Sequence, residues 1–106
     1  MTCTDLHPGK ELIMLEKEIE NKFVKEINLM GGKAFKFSPV GYDGMPDRLV
    51  LIPGGRVAFV ELKRPGQKPR VLQEMRHRML RELGFKVYAL ASMEKIGGII
   101  DEIRAI

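Results

Sequence analysis

Two apolar runs, Arg48-Leu-Val-Leu-Ile52 and Val57-Ala-Phe-Val-Glu-Leu-Lys63, stand on either side of Pro53-Gly54-Gly55, and no other part of the chain restricts the fold as much. Runs this short and this apolar are strands covered on both faces. A Pro-Gly-Gly break between them is a hairpin signal, so the two strands are antiparallel neighbours. In a hairpin the start of the first strand lies beside the end of the second. Asp47 is thereby brought close to Glu61 and Lys63, and because side chains alternate along a strand, Glu61 and Lys63 share one face while Leu62 takes the other.

Carboxylates gathered in this way repel: two unit charges about 4 Å apart cost roughly 4 kcal/mol even at an effective dielectric near 20. A divalent cation removes that cost. Hard oxygen donors suit Mg²⁺ or Mn²⁺, with Mg²⁺ keeping several waters and using only one or two protein carboxylates. Such an ion activates water and neutralises charge on a phosphate undergoing in-line displacement. Lys63 is placed to orient the attacking water or to stabilise the same charge. The plainer alternative is that Asp47 caps the turn after Pro46 while Glu61 and Lys63 form a surface pair. Taken together, the Pro-Asp start and the hairpin favour a metal-dependent nuclease site.

Outward from the hairpin, residues 10–30 read as a helix, because Leu12, Leu15, Ile19, Phe23, Ile27 and Met30 recur at steps of three and four until Gly31-Gly32 stops them. Glu16 and Glu20 lie on the shoulder of that stripe. Residues 33–38 form a short strand, with Phe35 and Phe37 on one face and Lys36 on the other, and 39–46 a loop rich in proline and glycine. A second helix over 71–83 carries the stripe Leu72, Met75, Met79 and Leu83, followed by a strand over 86–91. A last helix, capped by Ser92, buries Ile96, Ile99, Ile100 and Ile103. The order α-β-β-β-α-β-α in 106 residues predicts a single α/β domain with a mixed four-stranded sheet flanked by helices, residues 1–9 being irregular.

Charge is uneven. Between Lys63 and Lys86 there are eight Lys or Arg against two Glu, a local balance of +6 in a chain whose net charge is +4, so this segment suits a polyanion. On this reading His77, within the basic helix, faces solvent or nucleic acid. No apolar run is long enough for a membrane span and the N-terminus does not read as a signal peptide. The lone Cys3 is an incidental thiol in a reducing compartment. The expected setting is the cytoplasm of a bacterial or virus-infected bacterial cell, with no organic cofactor.

Pro46-Asp47, thirteen intervening residues and then Glu61-Leu62-Lys63 match the PD-(D/E)xK signature of the restriction-endonuclease-like nucleases, whose core has the same element order. More narrowly, Gly44-Met-Pro-Asp-Arg-Leu-Val-Leu, Val57-Ala-Phe-Val-Glu-Leu-Lys-Arg-Pro-Gly and the later Gln73 resemble the VRR-NUC family, the virus-type replication-repair nucleases. The resemblance implies Asp47 and Glu61 as metal ligands, joined by the backbone carbonyl of Leu62 and by a first-helix carboxylate, best matched by Glu20 with Glu16 as the fallback. It implies Lys63 as the catalytic lysine and Gln73 as a residue bordering the site. Around them Lys36, Arg64, Lys68, Arg70 and Arg76 would bind DNA. Small stand-alone members resemble Holliday-junction resolvases, which implies a homodimer cutting branched DNA, its interface on the Ile-rich final helix or the first helix. The alternatives are a nuclease of the same fold acting on flap, nicked or single-stranded DNA, and a non-catalytic DNA-binding module.

Overall fold

The computed structural model describes residues 8–106, with side chains from Leu15 onward. Cys3, His7 and most of the segment expected to be irregular lie outside the described residues, as does the side chain of Leu12. The elements are α1 (Pro8–Leu29), β1 (Lys33–Lys36), β2 (Arg48–Ile52), β3 (Arg56–Leu62), α2 (Val71–Glu82), β4 (Lys86–Leu90), a 3-10 turn (Met93–Lys95) and α3 (Ile96–Arg104). Pro8 and Gly9 belong to α1, so the helix begins two residues inside the segment expected to be irregular. Proline is well suited to a helix start, where its missing N–H costs nothing.

The four strands lie in the order β1-β2-β3-β4. The hairpin forms as expected, with Arg48 opposite Val60 and Ile52 opposite Arg56. Its turn places Gly54 and Gly55 at φ values of 94° and 75°, a region that side-chain-bearing residues avoid. β1 adds antiparallel to β2, and β4 adds parallel to β3 after the crossover through α2. The sheet is therefore mixed.

One sheet face is covered by α1 and α3. Ile19, Phe23 and Ile27 meet Ala34, Val50, Ala58, Val60, Leu62 and Leu90, with Ile96, Ile99, Ile100 and Ile103 closing the layer. The α3 isoleucines are thus buried within the chain's own core and are not available for the dimer contact expected of them. Of the described residues in the α1 stripe, Leu15 is exposed, Ile19, Phe23 and Ile27 are buried and Met30 is half-buried. Ser92 does not cap through its side chain: its Oγ has no hydrogen-bond partner, and only its carbonyl accepts, from Lys95 N at 3.3 Å.

The opposite sheet face carries α2, rotated from the expected orientation. Its buried residues are Gln73, His77 and Leu80. Of the apolar stripe read from the sequence, Leu72, Met75 and Leu83 are exposed, Leu83 by 66%, and only Met79 packs partly against the small cluster of Phe59, Leu80 and Val87. On the same sheet face Phe35 is 51% exposed and Leu51 also reaches solvent. One helix covers the β3–β4 half of this face and leaves apolar residues of the other half open. Among the described residues, no helix is long and apolar enough to cross a membrane.

Gly44 explains how the loop before β2 can meet α2. It has a φ of 83°, and a Cβ there would lie 2.8 Å from Leu72 Cγ. Gly44→Ala should therefore lower the unfolding free energy by about 1–3 kcal/mol through backbone strain alone. Gly97 sits in α3 with open space around its Cα, so Gly97→Ala should raise stability by about 0.4–1 kcal/mol. Urea denaturation of both variants checks the opposite signs.

Candidate active site

The hairpin pairing ends with Arg48 opposite Val60, and Asp47 stands one residue before β2, beside the end of β3 that carries Glu61. Asp47 precedes the strand and turns its carboxylate toward the residue between Glu61 and Lys63: Oδ2 accepts the Leu62 backbone N–H at 2.8 Å. Glu61 is fully buried, at 0% exposure. Its Oε2 lies 2.9 Å from Lys63 Nζ, and its Oε1 lies 3.4 Å from His77 Nε2. Lys63 in turn donates to Gln73 Oε1 at 2.7 Å, and that same oxygen accepts the Arg70 N–H at 2.8 Å. Gln73 is the third residue of α2 and Arg70 its N-cap, so a side chain touching the lysine also satisfies a free donor at the helix start.

The two acids are pushed in opposite directions. Burial raises the Asp47 carboxyl above its usual range, outweighing the Leu62 N–H bond, with Glu61 adding to the rise, Lys63 opposing it and Glu16 adding again. Burial also acts to raise Glu61, but the hydrogen bond from His77, together with the contact and charge of Lys63, overcomes it and holds that carboxyl low. At neutral pH Glu61 is an anion favoured by its neighbours, whereas the charge on Asp47 is disfavoured by its surroundings.

Asp47 opens onto a pocket of about 320 Å³ lined by Glu16, Glu20, Lys36, Phe37, Ser38 and Leu62. The structure brings both candidate first-helix carboxylates to this pocket without assembling them around one point. Glu20 accepts two hydrogen bonds from Arg48, from Nη2 at 2.9 Å and from Nε at 3.3 Å, while Arg48 Nη1 bonds the Ala34 carbonyl. Glu16 is more open and lies 4.0 Å from Arg64 Nε. Among the described residues, no three carboxylate, histidine or cysteine side chains form a cation cage. Asp47 and Glu61 nevertheless fit a hard divalent ion. They are neighbouring carboxylates that feel each other's charge, and Glu61 Oε2, although beside the lysine, has no well-directed hydrogen bond.

Of the expected DNA-binding residues, Lys68, Arg70 and Lys36 are exposed and Arg64 is half-buried. Arg76 is already engaged: it donates to the Asp43 carbonyl at 2.9 Å and its guanidinium lies 5.0 Å from the Tyr42 ring centre, tying the loop to α2. His77, expected to face solvent or nucleic acid, is buried at 3% exposure against Glu61. The signal that would have found it is its spacing, four residues after Gln73 and hence on the same helix face. Arg48, adjacent to the signature aspartate, has no such spacing signal, and its role in holding Glu20 is visible only in the fold.

No protein-family model matches the chain. It is 43% identical over 82 residues to a protein named "Putative nuclease p44" from Acyrthosiphon pisum secondary endosymbiont phage 1, a match covering 77% of this chain and 88% of that one. Its structure is similar to a solved VRR_NUC domain, with a TM-score of 0.78 and 30% identity over 81% of this chain and 94% of the other. The chain belongs to the VRR-NUC family. Element order and sheet are those of a VRR-NUC domain. Within this VRR-NUC fold Asp47, Glu61, Lys63 and Gln73 converge, Glu20 and Glu16 line the adjoining pocket, and His77 joins from α2.

The raised Asp47 carboxyl has a definite sign in folding. A carboxyl whose pKa is higher in the folded state favours folding most below its unfolded value of 3.8, and that contribution is lost as pH rises through the folded value. Asp47→Asn should therefore melt at a higher temperature than the parent protein at pH 7 without metal, and the difference should shrink toward pH 3. Differential scanning calorimetry across that range checks both.

Proposed function

We propose that this protein is a Mg²⁺- or Mn²⁺-dependent DNA endonuclease, acting as a homodimer on branched, Holliday-junction-like DNA. The observation that carries the reading is the meeting of Asp47 with the end of β3, where its carboxylate accepts the Leu62 N–H between Glu61 and its ion-pair partner Lys63. Asp47 and Glu61 would hold the ion, with the Leu62 carbonyl and, from the pocket wall, Glu20 or Glu16 as further oxygen donors. When bound, the ion would activate water and offset charge on the scissile phosphate. Lys63, held by Gln73, would stabilise charge that develops on the phosphate oxygens. Arg48 holds Glu20 through Oε2 alone, which leaves Oε1 as the oxygen Glu20 would offer, and Glu16, 4.0 Å from Arg64 Nε, is the less tightly held of the two acids.

DNA as substrate is supported by the exposed Lys36, Lys68 and Arg70 and the half-buried Arg64, grouped by sequence and fold near the site. About four phosphate contacts would give a slope near −3 to −4 in log affinity against log salt. Lys68→Ala should reduce that slope by about 1. A two-fold dimer suits the approximate two-fold symmetry of a four-way junction. The open apolar residues of α2 and of the β1–β2 face are the surface offered to the second copy, in place of α3. Phe35→Glu or Leu83→Glu should then shift a dimer to monomer in sedimentation velocity while retaining the parent circular dichroism spectrum.

The decisive experiment incubates the purified protein with labelled junction, flap, nicked, duplex and single-stranded DNA in Mg²⁺, Mn²⁺ or EDTA. Junction cleavage should require the metal and fall by at least about 100-fold in Lys63→Ala and Asp47→Ala. Cleavage surviving both substitutions would overturn the assignment. Preference for flaps or single strands would replace the branched substrate, and salt-sensitive binding without metal-dependent cleavage would make the chain a DNA-binding module.

A further inference from the structure

The buried face of α2 is polar where it meets the end of β3. Gln73 and His77 are four residues apart, which on a helix is a rise of about 6 Å. Glu61 and Lys63 are two residues apart on a strand, a step of about 6.6 Å. The two spacings match, and the contacts form two rungs: Gln73 to Lys63 at 2.7 Å and His77 to Glu61 at 3.4 Å. All four side chains are buried.

A histidine in that position is not explained by packing alone. Leu80, one turn further along the same face, fills its place with an apolar side chain against Phe59 and Val87. An apolar residue at 77 would leave the fully buried Glu61 carboxylate facing hydrocarbon on the side away from Lys63, a costly arrangement for an anion. His77 supplies a directed donor there. Its bond to Oε1 leaves Oε2, which lies 2.9 Å from Lys63 Nζ without a well-directed hydrogen bond, as the oxygen that a cation would share with the lysine.

We propose that His77 is a positioning residue for Glu61: through Nε2–H it fixes the carboxylate so that a divalent cation meets an already oriented ligand beside Asp47. The inference rests on the nuclease reading above. His77 touches neither substrate nor reacting atoms, and acts only through Glu61.

The test measures Mn²⁺ affinity of the full chain by titration calorimetry in the absence of DNA, at one pH, with melting temperature and single-turnover junction cleavage recorded alongside. Three proteins are compared: the parent, His77→Gln, whose amide can still donate, and His77→Leu, which cannot. Loss of a hydrogen-bond partner to a metal ligand typically weakens binding about 10–100-fold, so His77→Leu should fall in that range. His77→Gln should recover most of the affinity, and cleavage by His77→Leu should improve as Mn²⁺ is raised. If the leucine variant does not fold, His77→Asn, whose shorter amide falls short of Oε1, takes its place. Parent-like Mn²⁺ affinity in a folded leucine or asparagine variant, with only the melting temperature lowered, overturns the positioning role and leaves the nuclease reading intact. A parent protein that neither binds Mn²⁺ nor cleaves any substrate overturns the nuclease reading and the positioning role together.

Discussion

Pairing β2 with β3 so that Arg48 faces Val60 puts an acid at the mouth of the sheet beside a buried acid on the next strand. A slip of one residue would send every side chain of the moved strand to the opposite face. The slip is opposed twice over. Val50, Ala58 and Val60 are needed on the α1–α3 side, and Gly54 and Gly55 fix the turn length. The acids at the end of the hairpin are thus held in place by apolar contacts along its length, and they need not themselves determine the register.

Glu61 is the electrostatic centre. A carboxylate with no solvent contact survives as an anion only when its partners are close, and here they come from its own strand and from α2. Breaking one side of such a buried pair typically costs several kcal/mol, because the remaining charge is left without compensation. The Asp47 carboxyl opens to the pocket and has fewer favourable neighbours. One acid is held as an anion by close partners and the other carries its charge at a cost, an asymmetry set by their surroundings.

Much of this was legible in the sequence. The Pro-Gly-Gly turn and two apolar runs give the hairpin, and the hairpin gives the proximity of Asp47 to Glu61. The order of elements follows from periodicity and glycine breaks. The orientation of α2 did not, because the stripe Leu72, Met75, Met79 and Leu83 has helical spacing while the face against β3 carries Gln73 and His77. Counting apolar residues assumes that the opposing surface is apolar, and here it is a charged strand end. Glu20 was difficult for a related reason: nothing local reveals that Arg48, on another element, will hold it. Gln73 was reached only through family resemblance, since an isolated glutamine has no pattern of its own.

Gln73 Oε1 receives two donors, one from the lysine and one from the backbone that opens α2. The lysine's geometry and the initiation of a helix therefore share a single atom. Glu61 holds the ammonium from its own strand, and Gln73 adds a second contact that exists only where the first turn of α2 is formed. The lysine's full set of partners is thus completed by secondary structure, and local order at residues 70–73 reports on its second contact.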